Sequence, residues 1–282
     1  MNDVTLGGIS KKTLNIFMAP PGVGKSTFMC DHAAFCISQG YNVLYISLEM
    51  AEERIAERID ANLLDINIHD IKEIPEAIFT SRINDLAQKS QGRFFIKEYP
   101  TASAHAGHFE ALLNELSLKK SFKPDIIFID YLNICASSRY RGHIVNSYTY
   151  VKAIAEELRG LGVKHNVPVV SATQTTRNGM GNSDLDLTDT SESFGLPATA
   201  DLMLGIIALE ELEQSGRIKI KQLKNRYNDT NKSKSFIIGI DRSKMKLYNV
   251  DDSDITDAEE DDTYEQFEAT ASKQKRDFSE WL

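Results

Sequence analysis

Ala19-Pro20-Pro21-Gly22-Val23-Gly24-Lys25-Ser26-Thr27 is the stretch whose reading decides the fold. The run Thr13 to Met18 before it reads as a short buried strand, and a helix is predicted from Lys25 to Ser38. A strand, a glycine turn and a helix in that order make a phosphate-binding loop. Glycines let backbone N–H groups face a phosphate, and the helix start adds a positive partial charge. Pro21, Gly22, Val23, Gly24, Lys25, Ser26 and Thr27 are the expected nucleotide contacts. Lys25 is expected to reach the β and γ oxygens, and the Ser26 hydroxyl to ligate Mg²⁺. The pattern GxxxxGK[ST] departs at one place: residue 19 is Ala, where Gly is expected.

Outward from this loop, strands and helices alternate. Strands are predicted over 42–48, 93–98, 125–129 and 167–172, and helices over 51–64, 104–120 and 148–165. The rhythm predicts an α/β fold, a mostly parallel sheet with helices on both faces. After residue 201 the pattern changes. Segments 202–209, 217–223, 235–240 and 244–250 read as successive strands with short turns, an antiparallel extension of the sheet. The domain reading is therefore an entry segment at 1–12, one large α/β domain at 13–250 and a polar tail at 251–282, read as disordered.

The net charge of −9 belongs to that tail, where twelve acidic residues stand against three basic ones. The rest of the chain balances, with 29 of each sign, so the acidic total does not exclude nucleic-acid binding by the folded part. The longest apolar run, Leu202 to Leu209, is too short to cross a bilayer. No basic-then-apolar leader pattern opens the chain, and the location read from this is cytoplasmic, with no membrane partner. The three cysteines (Cys30, Cys36, Cys135) show no CxxC spacing and read as buried free thiols. His105 and His108 have no third ligand at metal spacing and read as a helix start.

Three polar residues fall where predicted strands end, the edge at which open α/β sheets bind ligands. Asp130 closes Ile126-Ile127-Phe128-Ile129 and is assigned to Mg²⁺ through coordinating water. Glu49 follows Val43 to Leu48. It reads as the group that orients or deprotonates the attacking water, or as a dipole-favouring charge for the next helix alongside Glu52 and Glu53. Gln174 follows Val169 to Ala172 and reads as a γ-phosphate sensor or as a turn residue.

Taken in order, several stretches resemble the DnaB-like replicative helicases, most closely those of tailed bacteriophages. They are Gly7-Gly8, the phosphate loop, Ser47-Leu48-Glu49-Met50, Ile129-Asp130-Tyr131-Leu132 and Asn146-Ser147-Tyr148. The others are Val167 to Gln174, Gly195-Leu196-Pro197-Ala198-Thr199-Ala200-Asp201 and Lys224-Asn225-Arg226-Tyr227. The resemblance runs from about residue 6 to 250. It implies a RecA-like motor domain, ATP or another NTP with Mg²⁺, a homo-hexameric ring with nucleotide between subunits, and 5′-to-3′ movement on single-stranded DNA. It implies that Lys224 and Arg226, on one side of a strand, reach a neighbour's site, with Arg226 as a trans-acting arginine finger; without it they read as a solvated basic strand end. Loops 136–146 (Arg139, Arg141) and 175–193 (Arg177) are the candidate DNA contacts. Primase, a helicase loader and polymerase or other replisome proteins are the implied partners, the acidic tail being either their docking element or merely solubilising. The family's N-terminal domain is missing from this sequence, which reads as a truncated or a naturally short form. A strand-exchange recombinase and a non-motor NTP-binding regulator are the competing readings.

Overall fold

A computed structural model describes residues 2–90, 92–140, 146–176, 185–190, 195–230 and 233–250. The chain divides into a body at 1–247 and a C-terminal stretch at 248–282. The predicted tail at 251–282 lies outside the described residues.

Strand β1 (Leu14–Ala19) is the centre of the body. All six of its residues are buried, because both its edges and both its faces are covered. It pairs in parallel with β5 (Val169–Gln174) on one side and β6 (Leu202–Ile207) on the other. Beyond β5 the sheet continues through β4 (Ile126–Asp130), β2 (Val43–Ser47) and β3 (Phe94–Glu98), all parallel. Beyond β6 come β7 (Arg217–Asn225) and β8 (Ser235–Asp241), antiparallel. With β9 (Lys246–Asn249) the order is β3-β2-β4-β5-β1-β6-β7-β8-β9.

This corrects one expectation. The strand at 202–207 is not part of the antiparallel extension; its register with β1 is parallel, and the reversal begins at β7. The alternation of burial along β7, against the continuous burial of β6, marks the same boundary. Within the entry segment Asn2–Thr5 forms a short helix, α1, with Val4 buried.

Two apolar layers cover the sheet. On one face α2 (Lys25–Ser38) and α3 (Glu52–Leu64) supply Phe28, Met29, Ala33, Ile55 and Ile59 to a core shared with Phe17, Tyr45 and Phe128. On the other, α5 (Ala106–Lys120) and α6 (Ser147–His165) bring Phe109, Leu113, Ile154 and Leu158 against Leu14, Ile16, Ile127 and Ile129. Helix α4 (Glu76–Ser90), which no reading of the sequence anticipated, has no buried residue. The shorter helices α7 (Gly195–Thr199) and α8 (Glu210–Gln214) flank β6.

Helix ends follow local chemistry. Asn146 caps α6 by accepting from Thr149 N at 2.8 Å, and Asn166 ends it in the left-handed region. His105 caps α5, its ring nitrogen Nδ1 accepting from Gly107 N at 3.0 Å, while His108 Nδ1 accepts from His105 N. The histidine pair is thus a helix start, and no cluster of three metal-ligating side chains occurs among the described residues. The three cysteines are buried and free. No described helix is long and apolar enough to cross a membrane.

Candidate active site

Strand β1 ends at Ala19, and the loop 20–24 turns the chain into α2. Gly22 (φ 81°) and Gly24 (φ 118°) carry the backbone through the left-handed region. Residue 19 needs no such freedom: it is the last residue of a buried strand, not a positive-φ position, so Ala stands there without strain. Lys25 opens α2 with its side chain folded back along the loop. Its Nζ donates to the carbonyls of Pro20 (3.2 Å) and Ala19 (3.4 Å). Burial lowers its pKa, while the negative charges of Glu49 and Asp130 oppose that shift.

Asp130, last residue of β4, is fully buried at the same edge. Its Oδ2 accepts from the Tyr45 hydroxyl at 2.9 Å. Its Oδ1 is buried without a hydrogen-bond partner. Burial raises its pKa; Tyr45, the Ser26 hydroxyl, Arg58 and Lys25 favour the charged form. A buried carboxylate oxygen left unpaired beside a serine hydroxyl is costly unless something meets it. Hard oxygen donors of this kind suit Mg²⁺, so the residues present fit that ion.

Glu49 lies just past β2, exposed, within the field of Asp130 and Lys25. Desolvation and the Asp130 charge raise its pKa, offset in part by Lys25 and Arg58. The turn that presents it is fixed by Ser47, whose hydroxyl accepts from Met50 N at 3.0 Å and donates to Met50 O at 2.5 Å. Gln174 is the last residue of β5 rather than a residue after it, and its Nε2 donates to the Tyr131 hydroxyl at 3.0 Å. Thr173 beside it donates to Asn133 Oδ1 at 2.8 Å. The structure thus gathers Lys25, Ser26, Glu49, Asp130 and Gln174 on one sheet edge.

Lys224 and Arg226 stand elsewhere. Asn225 is paired with Leu202, at the start of β6, so this end of β7 lies at the opposite edge from Ala19. The two cations do share a side: Lys224 Nζ and Arg226 Nη2 both donate to Ala198 O, at 3.2 and 2.8 Å. Of the candidate DNA contacts, Arg139 is ion-paired with Glu156. Arg141 and Arg177 lie outside the described residues.

The sequence reading missed several residues of this neighbourhood. Tyr45, stacked on Phe128 with ring centroids 5.8 Å apart, holds Asp130. Arg58, on α3, is the extra cation near Glu49 and Asp130. Arg242, after β8, bridges the loop carbonyl of Val23 (3.2 Å) and Glu213 (2.8 Å). Sequence distance hides all three contacts. A tyrosine in a buried strand and an arginine in a turn carry no local mark of a partner 85 or 219 residues away.

A phosphate loop on the central strand, a carboxylate ending the strand two places across and an antiparallel extension past β6 define a domain of RecA-like P-loop fold. The chain belongs to the DnaB-like helicase C-terminal domain family, whose model matches residues 2–245. It is 44% identical over 283 residues to the DnaB-like replicative helicase of Enterobacteria phage T4, covering 99% of this chain and 60% of that protein. It is 25% identical over 202 residues to the replicative DNA helicase DnaB of Helicobacter pylori, covering 70% of this chain and 40% of that one. The chain thus spans about half the length of these relatives. Two solved structures share the fold at 18% identity. The ATPase domain of G40P superposes with a TM-score of 0.74, over 89% of this chain and 88% of that one. A DnaB-like replicative helicase, described with its interactions with primase, gives 0.72, over 89% and 60%.

Proposed function

We propose that this chain is the NTP-hydrolysing motor of a replicative DNA helicase, working between adjacent protomers of a homo-hexameric ring and moving 5′-to-3′ on single-stranded DNA in the cytoplasm of the cell that makes it. ATP is the favoured nucleotide. The observation that carries the reading is the separation of the two halves of the site. The phosphate loop ends β1 at one edge, and Arg226 sits by the start of β6 at the other. Six residues of strand put these about 17 Å apart, farther than an arginine side chain spans. A cation held there cannot serve its own loop, which supports a role at another copy's.

In this reading the loop N–H groups and Lys25 bind the β and γ phosphates. Ser26 and, through coordinating water, Asp130 would hold Mg²⁺, which would neutralise charge on the phosphoryl oxygens. Glu49, with its pKa raised, orients the attacking water and takes its proton. Gln174, tied to Tyr131 beside Asp130, passes the state of the γ-phosphate toward the segment that follows β5. Lys224 and Arg226 of the next protomer stabilise the charge that develops in transfer. DNA is contacted through loops 136–146 and 175–193, and primase, loader and polymerase are the partners expected of the whole protein.

ATP turnover measured with and without single-stranded DNA, alongside the mass of the assembly, tests the proposal. Stimulation by DNA in a closed hexamer is expected. A helical filament instead would indicate a recombinase. Nucleotide binding with no turnover, with Lys25→Ala changing only that binding, would indicate a regulator and end the motor reading.

A further inference from the structure

The segment Gly195-Leu196-Pro197-Ala198-Thr199-Ala200-Asp201 surrounds the two cations at the far edge of the sheet. Lys224 Nζ donates to Pro197 O as well as to Ala198 O. Arg226 donates through Nη2 to Ala198 O and through Nη1 to Asp201 Oδ1 at 3.0 Å, and its backbone N donates to Asp201 O at 3.0 Å. Among the described residues, the hydrogen-bond acceptors of the two side chains thus all come from this one segment.

Asp201 is fully buried, yet its carboxylate is saturated. Arg159 of α6 grips it through Nε (2.9 Å to Oδ2) and Nη2 (3.1 Å to Oδ1), and Leu14 N, at the start of β1, donates to Oδ2 at 2.9 Å. Arg226 Nη1 approaches Oδ1, and the Tyr227 hydroxyl bonds the same carboxylate. A buried carboxylate held by a two-pronged guanidinium and a strand amide has no freedom to turn. An arginine resting on it is fixed in direction while its own surface stays 43% exposed. The segment is itself wedged against α6: a Cβ at Gly195 would fall 2.7 Å from Lys152 Cβ.

We propose that Gly195–Asp201 is a cradle that aims Lys224 and Arg226 at the neighbouring protomer, with Asp201 as the principal positioning residue and Arg159 as the group that holds Asp201. This rests on the trans role of Arg226 given above. The carbonyls of 197 and 198 orient the cations without neutralising them. The single carboxylate is shared between two guanidinium groups, so the pair keeps a net positive charge for an incoming phosphate. Asp201 is also bonded to the strand that carries the phosphate loop at its other end, so the aim of the finger is referenced to the position of that subunit's own site.

Mixed assemblies test this. In Asp201→Asn the subunit's own phosphate loop is intact and its finger is misaimed. Expected alone is a fall in kcat of about tenfold to a hundredfold, the scale for a misplaced catalytic group, with nucleotide affinity unchanged. Mixed with Lys25→Ala subunits, whose fingers are intact, Asp201→Asn should recover turnover above the weighted sum of the two. Wild-type turnover in Asp201→Asn, or no recovery on mixing, overturns the cradle. The parallel mixture of Arg226→Ala with Lys25→Ala separates the two ideas. Recovery there without recovery for Asp201→Asn sinks the cradle alone, and no recovery in either sinks the trans finger as well. Should Asp201→Asn fail to fold, Arg159→Met is the deciding variant: the same kcat loss and rescue are expected, and unchanged turnover overturns the proposal.

Discussion

The hydroxyl of Tyr45 donates to Asp130 Oδ2 at 2.9 Å inside the sheet, so the carboxylate assigned to the metal is held by a neighbouring strand. Cys30 Sγ of α2 approaches the same hydroxyl at 4.0 Å, and the ring lies nearly parallel to Phe128, at 12°. This leaves Oδ1 as the buried oxygen without a partner.

Tyr45→Phe deletes the donor and leaves Oδ2 buried and unsatisfied. A loss of about 1–3 kcal/mol in stability is expected, read from the urea midpoint. A freed carboxylate should also bind metal less well, so ATP turnover should need more Mg²⁺ to saturate. An unchanged magnesium titration would show that Tyr45 supports only the fold.

Glu49→Gln keeps the shape of the site and removes the base. Turnover should fall by about 10²–10⁴, while a fluorescent nucleotide still binds. The raised pKa of Glu49 sets the sign of the pH dependence. The residue acts as a carboxylate, so kcat should decline as pH drops through a value above that of an ordinary glutamate, and this limb should vanish in the variant. A Glu49→Gln protein with full turnover would assign Glu49 to the dipole of α3 instead.

His32, packed edge-on against Phe17 and Phe128, has its pKa pushed down to about 4 by burial. The unfolded chain takes up its proton near pH 6.5 and the folded chain only near 4. Stability is therefore complete above about 6.5 and lost as pH falls toward 4. Asp60, raised to about 6 by burial, works in the opposite sense, stabilising at low pH and losing that contribution as pH rises from 3.8 to 6. Comparison of wild type with His32→Phe isolates the first effect. The variant should gain on wild type between pH 7 and pH 4.5 in urea melts, and parallel pH curves would refute it.

Arg242→Ala removes the bridge between Val23 O and Glu213. Loss of one charge-assisted contact on the phosphate loop should weaken nucleotide binding by roughly fivefold, about 1 kcal/mol, with a smaller change in kcat. Equal losses in kcat and affinity would place Arg242 on the reacting phosphate rather than on the loop.

The phosphate loop, the helix Lys25–Ser38 and the parallel strands were legible because each has a local cause: a glycine turn that leads into a helix, and continuous apolar runs. Asp130 and Glu49 were legible as strand-end acids. What stayed hidden is what the sheet brings together from afar. Asp201 was visible only as the last residue of the stretch Gly195 to Asp201, and nothing in the sequence pairs it with Arg159 or Arg226. Helix α4 was overlooked although Phe79, Ile83 and Leu86 stand at helical spacing on it; none of its residues is buried. The parallel pairing of β6 was missed because strand direction has no local signature.

The strand order has a consequence for how the protein is made. The loop 20–24 ends a strand whose two neighbours are residues 169–174 and 202–207. Such long-range parallel pairings form late, and a growing chain exits the ribosome from its N-terminus. More than two hundred residues must therefore be synthesised before the strand beneath the phosphate loop is enclosed. A chain terminated before Leu202 would contain every glycine and the lysine of that loop and would have no finished place to put a triphosphate.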